Sequence, residues 1–93
     1  MLELSNDVVV RRARLAARLT AVIEADWRVD RCRSIEFVDE GGAIVAVELV
    51  RRSDVQSRNA IARELEFAVA QALPALRWAG VQVVGPIAGG PNL

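Results

Sequence analysis

The chain has 93 residues, 12 Lys plus Arg against 12 Asp plus Glu, and a hydrophobic content of 53%. That length holds one domain, the zero balance removes the positive field a general nucleic-acid binder needs, and this much apolar residue offsets chain entropy, excluding disorder. With no His, Lys or Tyr, the sequence lacks the imidazole base of Ser-His and Cys-His pairs, His-ligated zinc, the P-loop lysine and the Schiff-base amine. Every cation is Arg, which beside abundant Ala and Val reads as the coding bias of a GC-rich genome.

The first apolar pattern spans Asp7 to Ala25. Val8, Leu15, Ala16, Leu19, Val22 and Ile23 recur at spacings of three, four and seven, which predicts a helix. Ser5 and Asn6 are candidate N-caps, and Asp7 favours the first turn. Arg11, Arg14 and Arg18 form a row beside the apolar stripe. It reads as a solvated edge, with an anion site as the second reading. Arg12 interrupts the stripe, and Ala13, Ala17 and Ala21 occupy another sector.

Trp27 follows, and Ser34 to Val38 alternates as a first strand with Ile35 and Phe37 on one side. Asp39-Glu40-Gly41-Gly42 predicts a reversal, and Ala43 to Val50 a second strand with Val45, Val47 and Leu49 on one face. For Ile35 and Phe37 to share that face, the connection needs an odd length or a bulge, expected at Gly41 or Gly42. Ser53, Asp54 and Ser57 are candidate caps of a second helix running to about Leu73. Its stripe is Ile61, Leu65, Ala68, Val69 and Ala72, joined by Ala62 and Leu73, while Phe67 lies off it; Pro74 ends the helix. Val81 to Val84 is a short third strand.

The order helix, strand, strand, helix, strand predicts a two-layer α+β sandwich over residues 1–86, with a flexible Gly/Pro tail over 87–93. The hairpin is antiparallel, and a right-handed crossover sets the third strand parallel to the second. Both helices then cover one sheet face. The other face carries Glu36, Val38, Ile44, Ala46, Glu48, Val50, Gln82 and Val84, a mixed surface that invites a partner.

Candidate chemistry is sparse. Glu36 and Glu48 are the nearest approach to an acid pair, expected as diagonal neighbours on the open face, and their plainer role is that of solvated strand residues. Asp39 and Glu40 could join them around a hard cation, but without calcium-loop spacing. Cys32 stands between Arg31 and Arg33, which would favour its thiolate, yet no His can act as its base. A half-buried structural cysteine is the plainer reading. As the single cysteine it forms no intrachain disulfide, which fits a reducing cytoplasm. Trp27 and Trp78 each precede a strand and are expected to cap the core at one end of the domain. No signal-peptide pattern or membrane-length apolar run is present.

The segments Ser57-Arg58-Asn59-Ala60-Ile61-Ala62-Arg63-Glu64-Leu65-Glu66, Ala72-Leu73-Pro74 and Val81-Gln82-Val83-Val84-Gly85-Pro86 resemble the cytoplasmic C-terminal domain of cation diffusion facilitator transporters. The likeness extends back through Gly41 to about Ala13. It implies a ferredoxin-like fold, dimerisation and regulation of an attached transporter by divalent metal. The family's histidine ligands would fall near Arg33, Asn59 and Val83, none of them a good ligand, so no metal or cofactor is assigned. The element order is also that of alkaline-shock-type envelope-stress proteins.

The expected function is a non-enzymatic homodimerising interaction or regulatory module, cytoplasmic, with a protein or membrane transporter as a further partner. It binds no nucleic acid, does not insert into a membrane and has no catalytic residue. The expected interface is Glu36, Ile44, Ala46, Glu48, Phe67, Gln82 and Val84, with the Ala-rich sector of the first helix as another surface. A metal-binding regulatory domain using carboxylates and Cys32 is a second reading. A small enzyme using Glu36 or Glu48 is a third, and it requires an enclosed pocket holding a carboxylate of raised pKa.

Overall fold

A computed structural model describes residues 6–38 and 41–85. The elements run α1 (Asn6–Glu24), β1 (Val29–Val38), β2 (Gly42–Leu49), α2 (Val55–Ala72) and β3 (Trp78–Val84). β2 is central, antiparallel to β1 and parallel to β3. The order, the mixed three-stranded sheet and its strand directions are those the sequence predicts.

Both helices pack on one face of the sheet, α1 over β1 and α2 over β3. Leu19 and Ile23 of α1 and Ile61, Leu65 and Val69 of α2 meet Ala43, Val45, Val47 and Val81 in one buried core. Burying a side chain of this size stabilises the fold by about 1.5–3 kcal/mol. Leu73 and Leu76 close the core where α2 turns into β3, whereas Ala72, read as part of the stripe, is exposed.

Local chemistry sets the helix limits. Asp54 caps α2, its carboxylate accepting the Ser57 backbone N–H at 2.7 Å. At the other end the Leu73 N–H still reaches Val69 O at 2.8 Å, and Pro74 then prevents a further ladder bond. The candidate cap Ser5 lies outside the described residues, and Asn6 is the first helical residue. Arg12 interrupts the α1 stripe without breaking it, because its guanidinium sits 5.9 Å over the Phe37 ring.

β1 begins five residues before the predicted Ser34. Its pairing with β2 shifts between Val29 and Arg31 and again between Cys32 and Ser34. Each extra residue breaks the period-two pattern, so Val29 to Arg33 does not alternate and the strand is hidden there. β3 likewise starts at Trp78 rather than Val81, through Ala79 and Gly80, which carry little strand propensity.

The connection has the odd length that the shared face requires, and Gly41 carries the left-handed φ of a glycine bulge. Val38 pairs with Gly42, which leaves residues 39–41 between the strands and sets Ile35 opposite Val45 and Phe37 opposite Ala43. Gly41 has φ +92°, the left-handed geometry that favours glycine. The tail over 87–93 lies outside the described residues.

The tryptophans do not share an end of the domain. Val29 pairs with Leu49 at the end of β2, whereas Trp78 pairs with Gly42 at its start. Trp27, just before β1, therefore stands a strand length from Trp78. At 83% exposure Trp27 caps no core; it packs on Arg28, whose guanidinium lies 5.9 Å from the indole centre.

Candidate interaction face

The pairing register lays out the uncovered sheet face in four rows. Arg31, Glu48 and Val84 form the first row, Ser34, Ala46 and Gln82 the second, Glu36, Ile44 and Gly80 the third, and Val38, Gly42 and Trp78 the last. Six of the expected interface residues, Glu36, Ile44, Ala46, Glu48, Gln82 and Val84, thus share this face. Phe67 does not. It projects from α2, in the other layer, and is 67% exposed.

Ser34, Ala46 and Gly80 are small residues within the central rows, and Trp78 dominates one end. A Cβ at Gly42 would stand 2.4 Å from Trp78 Cε2 and Cζ2, and one at Gly80 would lie 3.7 Å from Cζ3. The indole thus lies against the sheet between the two glycines, and at Gly42 only a residue without a side chain leaves it room, while a Cβ at Gly80 would make ordinary contact with the ring. Its 46% exposure leaves an apolar surface beside Ile44.

At the opposite end the β1 bulges gather two arginines on one carboxylate. Arg31 Nε donates to Glu48 Oε2 at 2.8 Å and Arg33 Nη1 to Oε1 at 2.9 Å. The Arg31 hydrogen bond chiefly holds the Glu48 carboxyl below its ordinary pKa, with Arg33 adding to it. A carboxylate so held is no general acid near neutral pH. The expected diagonal pairing with Glu36 is also absent, since Glu36 faces Ile44 and Glu48 lies four residues further along β2. No shared acid site forms between them.

Cys32 fits its plainer reading as a half-buried structural side chain. Arg31 and Arg33 turn to Glu48 on the open face, while Cys32 packs partly against the core on the other side. Burial is the main influence on its thiol and pushes the pKa up, away from the reactive thiolate. Its backbone N–H donates to Glu24 Oε2 at 2.9 Å. Cys32, Glu36 and Glu48 therefore do not converge, and among the described residues no three His, Cys, Asp or Glu side chains could hold a metal ion. Asp39 and Glu40 lie outside those residues.

The free edges of the sheet are occupied by helix side chains, which sequence patterning does not reveal. On β3, Val81 N–H donates to Glu66 Oε2 at 2.9 Å and Val83 O accepts from Arg58 Nη2. On β1, Glu24 holds one amide, that of Cys32. Bonded edges resist the addition of another strand, which leaves the broad face as the sheet's open surface.

No family model matches the chain, and no curated protein does. Solved structures do. A MamM CTD fragment superposes with TM-score 0.69 at 13% identity over 81% of this chain and 99% of that one. The copper form of the MamM CTD gives 0.68 at 13% identity, covering 86% and 91%. The cadmium form of a MamM CTD variant gives 0.70 at 13% identity, covering 82% and 98%. This chain has the fold of the cation diffusion facilitator C-terminal domain.

At that identity the likeness is one of fold. Within it, the positions where the resemblance puts histidine ligands are separated. Asn59 and Val83 line one cleft between α2 and β3, whereas Arg33 is on β1, across the sheet, and is bound to Glu48. Among the described residues no helix is long and apolar enough to cross a membrane.

Proposed function

We propose that this chain is a non-enzymatic homodimerising regulatory module that pairs through its open sheet face. The observation that carries the reading is Trp78, a large side chain half exposed over Gly42 and Gly80 on a face that no helix covers. Ile44, Ala46 and Val84 extend the apolar area, and Glu36, Gln82 and the Arg31–Glu48–Arg33 cluster supply polar positions around it. Apolar contact area bordered by polar groups is the usual composition of a specific interface. The bonded β3 edge favours association through the face, and a two-fold axis through it matches the patch with itself. The fold shared with the MamM CTD supports a regulatory role beside a transporter. The missing acidic or cysteine cluster argues against direct metal sensing by the described residues.

Analytical ultracentrifugation across micromolar concentrations tests the reading. The chain is expected to sediment as a dimer, I44E/A46R as a folded monomer, and F67S as a dimer. A monomer at every concentration would sink the proposal. A dimer that I44E/A46R leaves intact would move the interface off the sheet face.

A further inference from the structure

Outside the sheet face, the most uneven distribution of charge is on α1. Arg11, Arg14 and Arg18 fall within about 60° of one another around the helix and span about 10 Å along it. All three are exposed, and they line one open cleft with Val10, Leu15, Ala75 and a single carboxylate, Asp7. Arg11 also lines an adjoining cleft with Arg12 and Arg77. The ion pairs among the described residues engage Arg28, Arg31 and Arg33 and none of these five.

Beside the row, the outward side of α1 is apolar. Val10, Ala13, Ala17 and Ala21 are all exposed, and in the first turns Val9 and Val10 are 49% and 47% exposed. One apolar side of the helix is spent on the core, the other is bare, and the guanidinium row runs between them.

We infer that this outward side of α1 docks on an anionic phospholipid surface. The guanidiniums meet the lipid phosphates, and Val10 and the alanines enter the headgroup layer. A plane of phosphates reaches every member of a straight, exposed row at once. Arginine suits that place, since it is weakly hydrated, binds phosphate through a planar fork and keeps its charge at the interface while its stem lies along apolar surface. A second copy is a poor occupant, because its α1 brings four arginines and only Asp7 and Glu24 in exchange. The inference rests on α1 alone and stands apart from dimerisation through the sheet.

Co-sedimentation of the full chain with phosphatidylcholine vesicles, with and without phosphatidylserine, tests it. Binding is expected only with phosphatidylserine and is expected to weaken as salt rises. R11Q/R14Q/R18Q is expected to lose about 100-fold in partitioning and R14Q alone about fivefold. R51Q/R52Q/R63Q removes as many exposed charges elsewhere and is expected to lose less than about tenfold by the same electrostatics; circular dichroism confirms that each variant is folded. No binding to phosphatidylserine vesicles overturns the inference, and so does an equal loss in the two triple variants. Binding to polyglutamate without binding to vesicles also overturns it, and makes the row a site for acidic protein.

Discussion

The Trp78 indole occupies the space a Gly42 side chain would fill: a Cβ there would stand 2.4 Å from Cε2 and Cζ2 and 2.7 Å from Nε1. The two residues pair across β2 and β3, so the start of the parallel strand and the apolar end of the open face depend on one contact. Gly42→Ala must push the indole off the sheet. The expected cost is about 1–3 kcal/mol in urea unfolding, falling by at least about half in a Trp78→Ala background, as a double-mutant cycle would show. Equal costs in both backgrounds would mean that the ring is not what excludes a side chain at Gly42.

Glu66 holds the edge of β3 through the Val81 amide. Glu66→Ala leaves that N–H without its acceptor beside a buried side chain, at an expected cost of about 1–2 kcal/mol. Amide hydrogen exchange should quicken at Val81 before the β2 amides respond. Unchanged protection there would exclude the edge contact as a structural element.

Asp26 links the end of α1 to the start of β1. Arg28 donates to its carboxylate from Nε at 2.9 Å and Nη2 at 2.7 Å, and from its backbone N–H at 2.9 Å. The side-chain hydrogen bond from Arg28 is the main cause of a carboxyl pKa below the ordinary value. A folded pKa below the unfolded one gives stability that is present above the unfolded value, about 3.9, and lost as pH falls through the folded value. Wild type should therefore exceed D26N in stability at neutral pH, with the gap closing on acidification below about pH 4. A gap independent of pH would assign the loss to shape rather than charge.

Leu65 and Phe67 are near neighbours in sequence on α2 but differ in burial, at 1% and 67% exposure. Leu65→Ala is expected to cost about 2–5 kcal/mol through the cavity it opens. Phe67→Ser should change stability by less than about 0.5 kcal/mol. Chemical denaturation of both variants checks the contrast, and a large loss from Phe67→Ser would show that its ring is covered in solution.

Much of the fold was legible because it rests on periodic burial. Leu19 and Ile23 on α1, Ile61, Leu65 and Val69 on α2, and Val45 and Val47 on β2 repeat at the spacing of their elements. Pro74 and Asp54 mark boundaries by local chemistry that needs no distant partner. The interface candidates on β1, β2 and β3 could be placed on one face because strand alternation fixes sidedness once the register is right.

What depended on distant contacts was not legible. The bulges at Asp30 and Arg33 hid half of β1 and brought Arg31 and Arg33 together on Glu48, because a register shift is set by the partner strand. Trp27 precedes β1 and Trp78 opens β3, yet antiparallel and parallel pairing send them to opposite ends. The edge bonds from Glu24, Arg58 and Glu66 join residues far apart in the chain and leave no local pattern. The sequence by itself thus determined the elements, their order and the buried stripes, since these follow from side-chain spacing. Only the tertiary structure decided which polar groups meet, because those meetings depend on the register and crossing of elements that no single segment contains.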